Sequence, residues 1–322
     1  MKRISLIVFI ILLVGCSQET IQEPLQQIAT STEEQLENEY KNAYSLTKVK
    51  TMLQRNPEGK TIEQLLEDEL YVKKVYGEIY EISNEQQFEE FIEQRMIEKD
   101  SIVGAIYLGK EMPEKLAKLI EEKYERIIYE NDLILSTLED YKYGIEQITT
   151  GYFIDFRNQF LISNPSEAMA NKKIDEMYAS LAPQLEGLSD YEKIKEIYKF
   201  VMNHMRYSVD SLYTDHTVVG FVNGKGVCQA YAVGLYIFLE KAGIEARYVP
   251  GPLNADYINE YTHHAWNMVK LEGQWYHLDA TWDDGQVEED WRYFLVSDTR
   301  MEVSRSWNKE YYEKAKGKYT AY

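Results

Sequence analysis

Apolar and polar positions alternate differently in successive stretches of the chain. Tyr76 to Ile82 alternates with the period of a half-buried strand, and Ser83-Asn84-Glu85 supplies a helix start ahead of Phe88, Phe91 and Ile92. Ser101 to Leu108 is a second strand candidate. Pro113 opens a helix in which Leu116, Leu119, Ile120 and Tyr124 recur at helical spacing. Tyr141 to Ile148 and Tyr152 to Ile162 read as a β-hairpin across Thr149-Thr150-Gly151. From about Pro165 the period becomes helical, over Ser166 to Leu181 and Ser189 to Tyr207. The second of these helices begins with Ser189-Asp190-Tyr191-Glu192, close to a capping box, and carries Ile194, Ile197, Phe200 and Val201 on one stripe. A loop to Gly226 precedes an apolar helix from about Cys228 to Ala242, ended by Gly243 at C′. Ala246 to Pro250, His264 to Leu271, Gln274 to Asp279 and Arg292 to Val296 are the expected strands. The pattern predicts an α+β chain: a small α+β domain over residues 46–164, then helices followed by strands over 165–322.

The first residues carry an address. Met1-Lys2-Arg3 is cationic, and Ile4 to Val14 is apolar apart from Ser5, the length of a signal-peptide core and too short to span a bilayer. Leu13-Val14-Gly15-Cys16 resembles the bacterial lipobox. That resemblance implies that residues 1–15 are a lipoprotein signal peptide and that Cys16 becomes the lipid-bearing first residue. A plain secretory signal and an uncleaved anchor are the alternatives. Residues 16–45, rich in Gln, Glu, Thr and Ser, read as a flexible tether, although Glu33 to Tyr44 is compatible with a helix. The expected location is extracytoplasmic, at a membrane surface held through Cys16.

Composition then narrows the chemistry. The chain has two cysteines, so lipidation of Cys16 leaves Cys228 as the one free thiol, with no disulfide within a copy and no Cys-rich zinc site. Removing Lys2 and Arg3 from the 35 basic residues leaves 33 against 54 acidic ones, a charge of −21. Such a surface repels nucleic acid and anionic head groups, so no nucleic-acid partner is expected. The 44% hydrophobic content and 27 tyrosines suffice for two packed cores.

Within 52 residues stand Cys228, His264 and Asp279, a thiol, an imidazole and a carboxylate. Those are the groups of nucleophilic acyl transfer: the thiolate attacks a carbonyl, the imidazole moves the proton, and the carboxylate orients the imidazole. Cys228 falls at the expected amino-terminal end of an apolar helix, where unpaired N–H groups and the dipole lower a thiol's pKa. Gly224 and Gly226 leave the preceding loop free to turn tightly. Glu272-Gly273 has the look of a two-residue hairpin turn, which pairs Leu271 with Gln274, Met268 with His277 and Trp266 with Asp279. His264, Trp266, His277 and Asp279 then share one face, with His264 and Asp279 diagonal neighbours, while His263 points the other way. A three-residue turn would separate them. His277 is the rival base but lies farther from the open end, so a structural role is expected. His204 and His216 read as ordinary partly buried or loop histidines, and Trp266, Trp275 and Trp282 as packing around the hairpin. Opposite faces for His263 and His264 argue against shared metal ligation, and neither metal nor cofactor is expected.

The blocks Gly224-Lys225-Gly226-Val227-Cys228-Gln229-Ala230-Tyr231-Ala232, His264-Ala265-Trp266-Asn267 and Gly273-Gln274-Trp275-Tyr276-His277-Leu278-Asp279-Ala280-Thr281-Trp282 resemble the bacterial transglutaminase-like superfamily over about residues 165–297. The resemblance implies a papain-like α+β core in which Cys228 is the nucleophile, His264 the general base and acid, and Asp279 the orienting carboxylate. Ala280 departs from the pattern, where relatives often have proline. For the oxyanion, the Cys228 backbone N–H is one expected donor, and Gln229 and Tyr207 are both candidates for a second. The expected function is a membrane-tethered cysteine enzyme acting on amide bonds, a peptidase or deamidase with water as acceptor, or a cross-linking transglutaminase with an amine. Peptides or proteins of the cell envelope are the expected substrates, on location alone. An inactive transglutaminase-like scaffold lipoprotein is the alternative. An endopeptidase of the other papain-like lineage fits the second and third blocks poorly.

Overall fold

The computed structural model describes residues 61–67, 69–108, 113–208, 213–254, 263–317 and 319. The expected signal peptide, Cys16 and the expected tether lie outside them.

The amino-terminal part begins with two short helices, α1 (Ile62–Leu66) and α2 (Glu69–Val75). There follow β1 (Ile79–Ile82), α3 (Glu85–Ile97), β2 (Ile102–Tyr107), α4 (Pro113–Glu130) and α5 (Asp132–Thr137), then β3 (Leu138–Ile148) and β4 (Gly151–Phe160). Asn84 caps α3, its side-chain oxygen accepting from Gln87 N at 3.0 Å, as the Ser-Asn-Glu start implies. The strands form a sheet in the order β1-β2-β4-β3, with β1 parallel to β2 and the other pairs antiparallel. Phe88, Ile92 and Met96 of α3 and Leu116, Ile120 and Tyr124 of α4 bury their apolar stripes against Val103, Ala105, Ile154 and Phe156. The expected hairpin is present, but its turn is the two residues Thr149-Thr150: Gly151, expected within the turn, already pairs with Ile148. Helix α5 goes beyond the apolar pattern. Asn131 caps it at 3.1 Å to Ile134 N, and its six residues are too few for a helical period to stand out.

The carboxy-terminal part opens with α6 (Asn164–Leu185) and α7 (Asp190–His204). Helix α6 outruns its expected end and carries Pro183 in its last turns. The expected capping box is present: Ser189 Oγ accepts from Glu192 N at 3.3 Å, and Glu192 Oε2 from Ser189 N at 2.8 Å. Helix α7 stops at His204, short of the expected Tyr207, because β5 (Arg206–Tyr207) pairs with β6 (Lys225–Gly226). Within the expected loop this ribbon brackets α8 (Val218–Val222), which Thr217 caps at 3.2 Å to Val219 N. Next come α9 (Cys228–Lys241), β7 (Ala246–Pro252), β8 (His263–Leu271), β9 (Gln274–Leu278), α10 (Ala280–Asp283), β10 (Phe294–Val296) and α11 (Asp298–Met301). The sheet runs β10-β9-β8-β7, antiparallel throughout. The architecture is α+β. Helix α9 packs against one face of this sheet, in a core with Ala265, Val269, Tyr276 and Leu278, and Trp266 and Met268 join a second core with Trp275 and Trp307.

Glu272 and Gly273 have φ of +52° and +76°, the left-handed pair of a two-residue primed turn. The ladder pairs Leu271 with Gln274, Met268 with His277 and Asn267 with Leu278, the expected register. One pair is corrected. Asp279 does not face Trp266 in the ladder, because the chain leaves β9 there to cap α10, its Oδ1 accepting from Trp282 N at 3.2 Å. A carboxylate with a free N–H three residues on favours the cap over another rung.

Candidate active site

Cys228 is the first residue of α9, preceded by Val227, which has no side chain to cap the helix. The N–H groups of Cys228 and Gln229 are thus among those without an intrahelical acceptor. The ribbon fixes what lies beside the thiol: Tyr207 pairs with Gly226. A Cβ at Gly226 would sit 2.3 Å from Asp215 O, so the close approach of that loop requires glycine. Asn267 Nδ2 donates to Ala232 O at 2.9 Å and ties α9 to β8. Cys228 is buried, 8% exposed, and opens on a cleft of about 860 Å³.

His264 lies near the open end of β8 and is buried, whereas His263 is exposed. Strand parity therefore separates them as expected. His264 Nε2 meets Asp279 Oδ2 at 2.8 Å, and the ring also shares a side-chain hydrogen bond with Cys228. The three side chains are brought together. Burial by itself would lower the imidazole pKa; the Asp279 charge and the Cys228 thiol outweigh it and hold His264 at about 9. Burial would likewise raise Asp279, but His264 and Arg305 beside it hold the carboxyl down at about 2.

Arg305 is absent from the sequence motifs. It lies 26 residues beyond Asp279, is 1% exposed, and its Nη1 donates to Asp279 Oδ2, the oxygen that also holds His264. Trp282, Tyr293 and Trp266 surround the guanidinium at 4.0, 4.9 and 5.2 Å from ring centre to Cζ. No residue spacing announces such a partner, because it arrives from a carboxy-terminal segment with little regular structure.

His277 takes the structural place expected for it. Trp266 Nε1 donates to its Nδ1 at 3.0 Å, and since an indole only donates, the proton of this neutral ring sits on Nε2, 2.9 Å from Asp298 Oδ1. Burial pushes the His277 pKa down. His204 is half-buried against Phe221 O at 2.6 Å. His216 is more than a loop histidine, since it lines the cleft with its Nδ1 2.6 Å from Gln229 Oε1. Gln229 and Tyr207 both line the cleft. Trp282, expected as packing, does so too, with its ring 5.4 Å from that of His264. Among the described residues no group of three or more His, Cys, Asp and Glu side chains is arranged to hold a metal ion.

The amino-terminal part contributes the opposite wall. Leu135, Ser136, Leu138 and Glu139 line the same cleft as Cys228 and His264. Glu139 is the extra residue of a bulge in β3, between the Leu138–Phe160 and Asp140–Gln159 pairs. Bulges re-aim side chains in this way.

Residues 179–280 match the family model described as the transglutaminase-like superfamily. The chain is similar to the kyphoscoliosis peptidase of Homo sapiens, 27% identical over 139 residues that cover 38% of this chain and 20% of that protein. Its counterpart in Mus musculus is 26% identical over 144 residues, 40% of this chain and 21% of that one. The similar stretch thus spans about a fifth of the length of these curated relatives. A crystal structure of a TGase covers 64% of this chain and 60% of its own, at 14% identity and a TM-score of 0.31.

Proposed function

Because the chain carries a transglutaminase-like superfamily domain, we propose that it is a cysteine acyl-transfer enzyme acting on amide bonds of peptides or proteins, with Cys228, His264 and Asp279 as its triad. The observation that carries this reading is the hydrogen-bonded series in which Asp279 Oδ2 holds His264 Nε2 at 2.8 Å and the same ring meets the Cys228 thiol. With Nε2 engaged by the carboxylate, the other ring nitrogen serves the thiol. The attacking group is the Cys228 sulfur with its proton already resting on His264, and it adds to the carbonyl carbon. The carbon–nitrogen bond then breaks, His264 returns the proton to the leaving amine, and a thioester remains on Cys228. Water or an amine attacks the thioester, gives a proton to His264 and releases the Cys228 sulfur. The Cys228 N–H at the start of α9 is aimed where the oxyanion develops, with Tyr207 and Gln229 as candidates for the second donor.

Water is the acceptor we favour. The cleft is wide enough to admit it, and the relatives named above bear the name of a peptidase. The lipobox at Leu13-Val14-Gly15-Cys16 supports a tethered enzyme outside the cytoplasm, working on cell-envelope polypeptides. No described helix is long and apolar enough to cross a membrane. The test compares wild type with Cys228→Ala on peptide libraries, with and without an added primary amine. Cleavage lost in the variant identifies a hydrolase, and amine incorporation lost alone identifies a cross-linker. Equal behaviour of the two proteins, together with no labelling of Cys228 by iodoacetamide near neutral pH, points instead to a scaffold.

A further inference from the structure

Two cations meet one carboxylate oxygen at the heart of the site. His264 Nε2 and Arg305 Nη1 both bind Oδ2 of Asp279, while Oδ1 takes the backbone N–H of Trp282 at 3.2 Å. A guanidinium and a carboxylate left to themselves prefer two parallel bonds. Here Nη2 of Arg305 is buried and makes no hydrogen bond among the described residues, so the fork is not closed. The side chain has little freedom to rearrange: Nε donates to Ser304 Oγ at 3.1 Å, aromatic rings cover the guanidinium, and the backbone at Arg305 bridges to Leu253.

We infer that Arg305 is a positioning residue of this site, which shares Oδ2 of Asp279 with His264 and so limits how tightly the carboxylate holds the imidazolium. The inference rests on the reading of Cys228 as nucleophile. A general base that must later act as acid works best when its proton is not held too firmly. A fully buried carboxylate with only an imidazolium beside it would place its whole charge on that ring. Arg305 takes part of that charge, and its own positive charge opposes protonation of the neighbouring ring. It also keeps Asp279 ionised without asking His264 to be charged at all times.

The other groups nearby do not supply the same effect. Asp279 faces His264, Arg305, Tyr198 of α7 and Asp283 of α10. His264 faces Asp279 and Cys228. Beyond Arg305 stand His277 and, behind it, Asp298. Of these, Arg305 alone carries a fixed positive charge.

The experiment is a ¹⁵N-histidine NMR titration of the full chain, which needs no substrate. Arg305→Met raises the His264 midpoint by about one pH unit or more. Arg305→Lys, which keeps the charge, leaves the midpoint within about half a unit of wild type. A folded Met variant with an unmoved midpoint overturns the inference, as does a Lys variant that moves as far as Met. Should the Met variant not fold, the wild-type protein carries the test. Its Arg305 guanidinium signals move at the His264 midpoint if the two groups are coupled, and flat signals overturn the inference. Failure of the enzyme reading shows elsewhere, as Cys228→Ala indistinguishable from wild type on peptides, and leaves this titration readable.

Discussion

Asp132 holds Arg247 across the boundary between the two halves of the protein, Nε to Oδ2 at 2.8 Å, and its Oδ1 accepts from the N–H of Tyr248 at 3.1 Å. Arg247 reaches back with Nη2 to Tyr129 O at 2.5 Å. Tyr248 lines the cleft, so the contact that joins the halves also sets one wall of the site. Replacing Arg247 by Met strands a carboxylate that is 6% exposed. Urea unfolding should register a loss of about 3 kcal/mol.

The same carboxylate gives the stability a pH signature. Burial outweighs Arg247 and lifts the Asp132 pKa from 3.8 to about 6. The folded state then binds this proton more tightly than the unfolded one, so stability contributed here falls as pH rises from about 4 to 6. Asp132→Asn should flatten that slope in unfolding curves collected across the interval. A slope unchanged by the substitution would rule out this origin.

Asp279→Asn removes the charge that raises His264. The imidazole midpoint should drop well below its value of about 9, and peptide turnover should fall by about 10³–10⁴-fold with the protein still able to bind substrate. His264 gains stability from its partner below its ordinary value of 6.5, and this contribution is lost as pH rises through about 9. Thermal unfolding between those two values should therefore decline in wild type and decline less in the variant.

Gly251 pairs with His264 on the neighbouring strand, and a Cβ there would fall 1.9 Å from Ser306 O. Gly251→Ala should push the segment bearing Arg305 away from Asp279. The expected reading is a lower Tm combined with the same upward shift of the His264 midpoint as in Arg305→Met. A lower Tm without the titration shift would mean that the segment moves without taking Arg305 along.

Gly273 has room for a methyl group, with nothing within 4 Å of a Cβ, so Gly273→Ala tests the backbone alone. At φ +76° the cost should be about 1 kcal/mol in urea unfolding. A much larger loss would indicate a change of register, which would move His264 relative to Asp279.

The hairpin around that turn was the most legible part of the site. Gly273, suited to positive φ, marks a two-residue turn between two apolar runs, and Glu272 follows it into that region. The turn determines the register, and parity then distinguishes His264 from His263. The ends of elements were less legible. Asp279 reads as the last residue of a strand because Tyr276-His277-Leu278 leads into it, yet its side chain does better as a cap. Helix α5 and the ribbon beside Cys228 are too short to impose a period.

The sequence by itself determined the elements of the core, the hairpin register and the order of thiol, imidazole and carboxylate, because these follow from local periodicity and turn chemistry. Tertiary structure alone decided that Arg305 joins Asp279, that His216 meets Gln229 in the lining of the cleft, and that Leu138 and Glu139 of the other half line it too. The physical reason is range. Backbone pattern acts over a few residues, whereas a buried charge is partnered by whichever side chain the packed chain brings to it, and no spacing along the chain encodes that meeting.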